Sequence, residues 1–163
     1  MNSLIAGPNV RVGLSDVADL LPGFGDKYPH GWDWLEHKLS DAGNGDTRVW
    51  LSMRQDDIAA LAIESLKGAH KRKLSTFVVA PAFRGAGIGS ELLAHLRRQW
   101  LDEGVDAVHV TIDRDDLGTQ AFFAGNRFSG DPLALVPYGE GRWDRVYNWL
   151  AVNDQRVHAA AVD

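Results

Sequence analysis

The chain of 163 residues contains no cysteine and no long apolar run. Without cysteine it cannot form disulfide bonds, thiolate-ligated zinc sites, iron–sulfur clusters or a cysteine nucleophile, and we expect no metal site. No stretch approaches the roughly 18 apolar residues of a membrane-spanning helix, so we expect no membrane partner. The first eight residues lack the charged and apolar regions of a signal peptide, which predicts a cytoplasmic protein.

Acidic residues outnumber basic residues by 22 to 17, which gives a formal net charge of −5. The charge is unevenly distributed, because residues 67–98 contain seven basic residues and one acid, a net +6, which leaves −11 for the rest. The basic segment predicts a local site for an anion, and any ligand held elsewhere should be neutral or cationic. The acidic remainder argues against a nucleic-acid partner, because phosphate affinity comes from Lys and Arg. A nucleic-acid-binding domain that uses Lys67–Lys73 is the weaker alternative.

Length, hydrophobic content and apolar periodicity predict the fold class. With 45% hydrophobic residues, the chain fits one globular domain, assigned to residues 1–152, followed by a C-terminal tail at 153–163. The periodicity predicts helices at 15–21, 32–43, 89–103 and 119–126, a loop at 23–31, and strands at 10–12, 49–53, 58–66, 74–80, 107–113, 133–136 and 146–150. This order is typical of an α/β protein with an antiparallel meander followed by a strand–loop–helix–strand unit.

A glycine-rich segment, Arg-Gly-Ala-Gly-Ile-Gly at residues 84–89, joins a predicted strand to the start of a predicted helix. Glycine lets a ligand approach the backbone closely, and the unpaired N–H groups at a helix N-terminus favour phosphate. Arg84 can add a bidentate contact. The spacing fits neither a Walker A loop nor a dinucleotide-binding loop. A tight turn with glycines needed only for packing is the structural alternative.

The segment resembles the R/Q-x-x-G-x-G/A signature of the GNAT family of N-acetyltransferases. Downstream, Asp116, Ala121, Phe122, Phe123 and Phe128 are similar to the family's N-x-x-A-x-x-x-Tyr-x-x-x-Gly-Phe segment. The resemblance extends over residues 77–128. It implies a single-domain α/β fold with a mixed, mainly antiparallel sheet flanked by helices, and acetyl transfer from acetyl-CoA, or another short acyl-CoA, to a primary amine. It also implies that a homodimer is plausible.

The same resemblance implies which residues bind the acyl-CoA. The main chain of the strand before the loop would pair with the pantetheine arm, the loop amides would hold the pyrophosphate, and a later helix would line the far side. The implied cofactor-binding residues are Phe77, Val78, Val79, Arg84, Gly85, Ala86, Gly87, Ile88, Gly89, Ser90, Asp116, Phe122 and Phe123.

The chain departs from the family pattern at Phe123, where a Tyr that can donate a proton is usual. Arg127 likewise replaces a Gly. A phenyl ring cannot donate a proton, which leaves three alternatives. The thiolate leaves without assistance, Tyr138 or Tyr147 supplies the proton, or the protein is a non-catalytic acyl-CoA-binding module.

Candidates for the general base lie on two predicted strands. Alternation places His109, Thr111 and Asp113 on one face of the strand at 107–113. His109, with an ordinary pKa near 6.5, and the Asp113 carboxylate could accept a proton directly or through water. Glu64, which ends the apolar strand segment at 58–63, is the third candidate. A half-buried structural histidine and an exposed carboxylate are the alternative interpretations. Because cysteine is absent, an acyl-cysteine intermediate is impossible, and direct attack within a ternary complex is the simpler hypothesis.

Aromatic and acidic residues predict where an amine acceptor binds. Tyr28, Trp32 and Trp143 are the candidate acceptor-binding residues, and Asp26, Asp33, Glu140 and Asp144 accompany them in sequence. Such a group suits the ammonium of a small apolar or aromatic molecule. The structural alternative makes Trp32 a core residue and leaves the acids solvated. Acetylation of a protein N-terminus or an aminoacyl-tRNA is the second alternative for the acceptor, and the latter would need a broad basic surface.

Overall fold

A computed structural model describes residues 3–139 and 141–160. Within these residues the chain contains both helices and strands, as expected for an α/β protein. The strands are β1 (Leu4–Ala6), β2 (Thr47–Arg54), β3 (Asp57–Leu66), β4 (Lys71–Val79), β5 (Ala107–Asp113), β6 (Ser129–Pro137) and β7 (Trp143–Leu150). The helices are α1 (Leu14–Val17), α2 (Phe24–Lys27), α3 (Gly31–Ser40), α4 (Ile88–Asp102), α5 (Leu117–Gly125) and α6 (Ala151–Ala160), with 3₁₀ turns at Ala18–Leu20 and Pro81–Phe83.

The chain divides into two compact units. The first unit comprises Met1–Leu66 and Leu74–Leu93, and the second comprises Lys67–Lys73 and Ala94–Asp163. Strand β4 and helix α4 each contribute residues to both units. The strand order is β1-β2-β3-β4 in the first unit and β4-β5-β7-β6 in the second.

The first unit is built on the antiparallel meander that the sequence predicts. Strands β2 and β3 pair in antiparallel register, with Val49 opposite Ile63 and Leu51 opposite Leu61. These four side chains form a core with α1 and α3, and each is at most 4% exposed. Burying such a side chain contributes roughly 1.5–3 kcal/mol, so this face holds the helices onto the sheet.

The second unit pairs β5 with strands on both sides. Lys71–Lys73 of β4 pair in parallel with Ala107–His109, and β5 pairs in antiparallel along its whole length with β7. Large rings fill the core: the Trp100 and Trp149 centroids are 5.2 Å apart with planes at 53°, and each residue is 1% exposed. Phe128 packs at an edge-on angle against Trp100.

Two predicted elements of the first unit differ in the structure. The first strand lies at Leu4–Ala6 rather than at 10–12, where Val10 makes a hydrogen bond to Val49 but no ladder follows. Pro8, which lacks an N–H group, interrupts the pairing just before this segment. The loop predicted at 23–31 contains α2, because Phe24 packs its ring against Tyr28 at 5.0 Å.

The predicted C-terminal tail is helical over the part that the structure describes. Helix α6 covers Ala151–Ala160, and residues 161–163 lie outside the described range. Asp154 on this helix is 4% exposed and accepts a hydrogen bond of 2.9 Å from the Trp149 ring N–H. This helix is therefore fastened to β7 by a buried polar contact that periodicity does not reveal.

Candidate active site

The glycine loop begins where β4 ends. After the 3₁₀ turn at Pro81–Phe83, Gly85 and Gly87 adopt φ values of +77° and +80°, in the left-handed region. No atom lies within 4 Å of a Cβ added at either position, so it is backbone conformation that calls for glycine here. Helix α4 follows at once, and its first hydrogen bond runs from the Glu91 N–H to the Gly87 carbonyl at 3.0 Å. The loop amides and the first N–H groups of α4 form a geometry that suits an anion.

Arg84 connects this loop to the end of β4. Its side chain is exposed, and its Nε–H donates a hydrogen bond of 3.2 Å to the Val79 carbonyl. Because a guanidinium has five N–H donors, this contact leaves the others able to reach a ligand. The Val79 carbonyl accepts this hydrogen bond with one of its two lone pairs.

Strand β4 changes its side-chain alternation just before the loop. The Ser75 hydroxyl contacts the Ser65 hydroxyl, which accepts a hydrogen bond from Lys38 on α3. Val78 packs on the core that includes Leu35 of the same helix. Residues three apart in a regular strand point to opposite faces, so the alternation shifts once between Ser75 and Val78. Phe77, whose main chain the resemblance assigns to the pantetheine arm, lies in this irregular stretch.

Glu64 does not end its strand, because β3 continues to Leu66. Its side chain is 1% exposed, and its Oε2 accepts a hydrogen bond of 2.6 Å from the Trp50 ring N–H. Glu64 lies five residues beyond Ala59, whose carbonyl accepts the Ala80 N–H at the other end of the strand. At about 3.3 Å per residue this is roughly 16 Å along β3. The carboxylate is thus an interior group at the end of β3 opposite the glycine loop.

Strand β5 has the alternation that the sequence predicts. Val108, Val110 and Ile112 are buried, whereas His109 and Asp113 are half-buried on the opposite face. Burial lowers the pKa of His109 below its usual value, and the ammonium groups of Lys73 and Lys67 lower it further. A hydrogen bond with the Arg72 backbone offsets part of this effect. The neutral imidazole is therefore favoured at neutral pH.

Asp113 belongs to a charged cluster at the end of β5. The Arg142 Nε lies 3.4 Å from Asp113 Oδ2 and 3.2 Å from Asp144 Oδ1, and Asp144 is 2% exposed. The Arg142 guanidinium also lies 4.9 Å from the centre of the Tyr138 ring. Tyr138 and Trp143 are 46% and 41% exposed. Two carboxylates thus share one guanidinium beside the exposed ring of Tyr138. Trp143 precedes Asp144 on β7, so its side chain points to the opposite face of the strand. Glu140 lies outside the described residues.

The residues assigned to the far side of the cofactor lie at the two ends of α5. Asp116 caps the helix: its Oδ1 accepts the Thr119 N–H at 3.1 Å and its Oδ2 accepts the Thr119 hydroxyl at 2.7 Å. Phe123 is 2% exposed, and its ring packs against Phe122 and Phe128 with centroids 5.2 and 5.1 Å away. The phenyl ring at this position is therefore part of the aromatic core of the second unit.

The candidate acceptor residues fall in different units. In the first unit, the Phe24 ring lies 5.0 Å from Tyr28 and 5.1 Å from Trp32, and Trp32 also packs on the core. Trp143 belongs to the second unit, with His109, Asp113 and Tyr138. The glycine loop, Phe77 and Glu64 belong to the first. The contacts among Lys38, Ser65 and Ser75 have no signature in the sequence, because nothing in a linear pattern links residues so far apart.

The glycine loop after β4, the mainly antiparallel sheet and the flanking helices together define an acetyltransferase fold. Residues 17–126 match the model of the acetyltransferase (GNAT) family, and the chain belongs to that family. It is accordingly an N-acetyltransferase that uses an acyl-CoA donor. This confirms the family, fold class, activity and cofactor that the resemblance implies. No curated protein sequence matches the chain significantly.

Solved structures are similar in fold. A GNAT acetyltransferase from Elizabethkingia anophelis with acetyl-CoA bound has a TM-score of 0.68 at 12% identity, covering 91% of this chain and 98% of its own. The ribosomal-protein-S18-alanine N-acetyltransferase of Escherichia coli has a TM-score of 0.68 at 16% identity, with coverage of 90% and 94%. An aminoglycoside 6'-N-acetyltransferase complexed with coenzyme A has a TM-score of 0.71 at 14% identity, with coverage of 90% and 96%. Among the described residues, no helix has the length and apolar character to cross a membrane.

Proposed function

We propose that the chain moves an acetyl group from acetyl-CoA, or another short acyl-CoA, to a primary amine on a small molecule, by direct attack in a ternary complex. The observation that carries the choice of acceptor is the cluster of Asp113, Arg142 and Asp144 beside the exposed ring of Tyr138. The cluster contains two carboxylates and one guanidinium, so its net charge is negative. A negative cluster next to an aromatic face suits an ammonium group.

The donor part of the proposal assigns the glycine loop to the pyrophosphate. Acetyl-CoA supplies the acetyl group as an activated thioester. The amides of residues 85–90 and the free donors of Arg84 would hold the phosphates, and the main chain of Phe77 and the Val79 N–H would hold the arm. Asp116 would contribute by fixing the start of α5, while Phe122 and Phe123 would contribute apolar surface.

For the base we propose His109. Its depressed pKa keeps the imidazole neutral, and therefore able to accept a proton from the amine, at neutral pH. Asp113 is the second candidate, although the Arg142 guanidinium already satisfies part of its hydrogen-bonding capacity. We assign Glu64 a structural role, because it is buried and bonded to Trp50.

Acetylation of a protein is the competing proposal for the acceptor. Similar folds occur in an enzyme named for ribosomal protein S18 and in one named for aminoglycosides, so the fold alone does not choose between acceptors. The charge of −11 outside residues 67–98 makes an aminoacyl-tRNA a poor acceptor, because RNA binding depends on basic residues.

The test combines binding with turnover. Calorimetric titration with acetyl-CoA should show binding at sub-millimolar concentration, and release of the CoA thiol should then be measured across a panel of small amines and peptides with free N-termini. We expect turnover with small aromatic or apolar amines, and Asp113→Asn should raise their KM. Turnover of peptides alone would favour the protein acceptor. Binding without thiol release for any amine would indicate a binding module, and no binding would refute the donor site.

A further inference from the structure

The side chains of Lys38, Ser65 and Ser75, all in the first unit, form a hydrogen-bonded series that ends on β4. The Lys38 Nζ donates to the Ser65 hydroxyl at 3.2 Å, and the Ser65 and Ser75 hydroxyl oxygens are 2.7 Å apart. Ser65 is 4% exposed, so the middle of the chain is shielded from water. Lys38 lies on α3, one turn after Trp34, whose ring centre is 6.0 Å from the Nζ. An ammonium is thus joined through two hydroxyls to the strand that precedes the glycine loop.

The chemistry of the three groups fixes the direction of one of the two hydrogen bonds. An ammonium only donates hydrogen bonds, so the Ser65 oxygen accepts from Lys38. Between Ser65 and Ser75 either hydroxyl can be the donor. In the arrangement in which Ser65 donates, Ser75 accepts this bond and has its own proton to donate. In this arrangement Ser75 is a hydroxyl donor that is polarised by a positive charge two hydrogen bonds away.

Ser75 lies on the part of β4 where the pantetheine arm would end, so its hydroxyl is in place to donate a proton to the CoA sulfur. In the proposed function, the pyrophosphate binds at residues 85–90 and the arm runs back along Val79 and Phe77. The next residue on the same path is Ser75, about 13 Å along β4 from Val79 at roughly 3.3 Å per residue. The change in alternation between Ser75 and Val78 marks this stretch as irregular, as is common beside active sites.

We propose that Lys38, Ser65 and Ser75 form a proton-delivery chain for the departing CoA thiolate. As the amine nitrogen bonds to the acetyl carbon and the carbon–sulfur bond breaks, the sulfur takes the Ser75 proton. Ser75 takes the Ser65 proton, Ser65 takes one from Lys38, and the neutral amine of Lys38 recovers its proton from water. The amine acceptor loses its own proton separately to the base. This inference rests on the proposed donor site. The three side chains would act as the general acid, a role that the phenyl ring of Phe123 cannot fill.

The first test measures ionisation of bound CoA rather than activity. A hydrogen bond from a polarised donor favours a thiolate over a thiol, so CoA bound to the wild type should ionise at lower pH than free CoA. The ultraviolet absorbance of the thiolate reports this ionisation directly. Ser75→Ala should move the midpoint back toward that of free CoA by about one pH unit. Ser75→Thr, which keeps a hydroxyl, should restore it.

The second test separates charge from proton transfer. Lys38→Arg keeps a positive charge, but a guanidinium does not release its proton at accessible pH. This variant should keep the shifted thiol ionisation yet lose about 100-fold in kcat. Lys38→Met should lose both. The matched control is Ser40→Ala on the same helix, where the hydroxyl only donates to the Glu36 carbonyl, and it should change neither quantity.

The outcomes distinguish this inference from the proposed function. If CoA binds but Ser75→Ala leaves the thiol ionisation and kcat unchanged, the proton chain is wrong and the donor site stands. If Lys38→Arg retains full turnover, the lysine acts by charge alone and proton delivery is refuted. If the wild type binds no CoA in the calorimeter, both proposals fail. Retained melting temperatures exclude misfolding of the variants as the cause.

Discussion

Single residues with unusual backbone conformation set the geometry of the glycine loop. Gly87 adopts a φ of +80°, and a Cβ added there would have no neighbouring atom within 4 Å. Any cost of a substitution is therefore conformational, about 1–2 kcal/mol for a residue with a Cβ in the left-handed region. The loop can escape that strain only by changing its φ angle, which would turn its amides away.

We predict that Gly87→Ala weakens CoA binding about tenfold, since roughly 1.4 kcal/mol corresponds to a factor of ten. The matched control is Gly104→Ala, which has a φ of +71° and equally open space but lies after the far end of α4. Both variants should lower the free energy of unfolding by similar amounts. Only Gly87→Ala should change the Kd measured by calorimetry. An equal loss of affinity in both variants would show that the loop geometry is not what binds CoA.

His109 illustrates how neighbouring lysines lower the pKa of a residue on β5. Burial and the charges of Lys73 and Lys67 lower its pKa. The unfolded chain binds a proton on this residue near pH 6.5, whereas the folded chain binds it only at lower pH. The contribution of His109 to stability is therefore complete above about pH 6.5 and is lost as the pH falls towards the folded pKa.

We predict that Lys73→Gln raises the pKa of His109 towards its usual value, because it removes a nearby positive charge. The chemical shift of the His109 ring, followed against pH by NMR, measures the midpoint. Lys71→Gln is the control, since Lys71 is exposed and is not among the charges that lower this pKa. If His109 is the base, the acidic limb of the kcat/KM profile should move to higher pH in Lys73→Gln alone. A profile that does not follow the NMR midpoint would remove His109 from the mechanism.

At the scale of elements, sequence predicts regular strands well and polar anchors poorly. Strand β5 has the predicted bounds, Ala107–Asp113. Its strict alternation of apolar and polar residues fits a strand with one buried face and does not fit a helix. Helix α2 was missed because glycine and proline flank a single turn that is held by aromatic packing. The same contrast holds for the candidate site. The glycine loop can be predicted from a local sequence motif, but the contacts of Ser75 and the burial of Glu64 depend on tertiary pairing.

Helix α6 shows how much an element can depend on one buried carboxylate. Asp154 Oδ1 lies 3.1 Å from the Arg127 Nη1, and its Oδ2 accepts the Trp149 ring N–H. Arg127 holds this contact from a left-handed backbone position, with a φ of +72°, where the family pattern has Gly. An arginine in this strained position is explained by its ion pair with a carboxylate that is 4% exposed.

We predict that Asp154→Ala lowers the free energy of unfolding by about 2 kcal/mol, because it removes an ion pair and leaves the Trp149 N–H without an acceptor. Arg127→Gly should cost less, since losing the ion pair is partly offset by relief of backbone strain. Urea denaturation of both single variants and the double variant forms the cycle that checks this. Additive losses would show that the two residues do not interact.

At the scale of the whole molecule, charge is segregated along the sequence. Residues 67–98 carry a net +6 within a chain of net charge −5, and the glycine loop lies inside that basic segment. The distribution favours a polyanionic donor and a neutral or cationic acceptor at the same time. A ligand that binds only the folded chain also stabilises it by mass action.

We predict that CoA at 100 times its Kd raises the melting temperature by roughly 5–10 °C. The stabilisation is about 2.7 kcal/mol at that ratio, and 1 kcal/mol shifts a chain of this size by about 2–4 °C. Differential scanning fluorimetry measures the shift. Pantetheine, which lacks the phosphates, is the control and should give little shift at the same concentration. Equal shifts with both compounds would place the binding energy in the arm rather than in the loop.

The tryptophan pair in the core of the second unit gives the molecule an optical property of its own. The Trp100 and Trp149 indoles are held 5.2 Å apart with their planes at 53°, and both are shielded from solvent. Electronic transitions of two chromophores fixed at such a skew angle couple, and the coupling splits their circular-dichroism band into lobes of opposite sign. That chiral signal depends on mutual orientation, so it vanishes as soon as either ring turns freely. The second unit therefore contains an intrinsic spectroscopic label that reports the order of its core without any added dye.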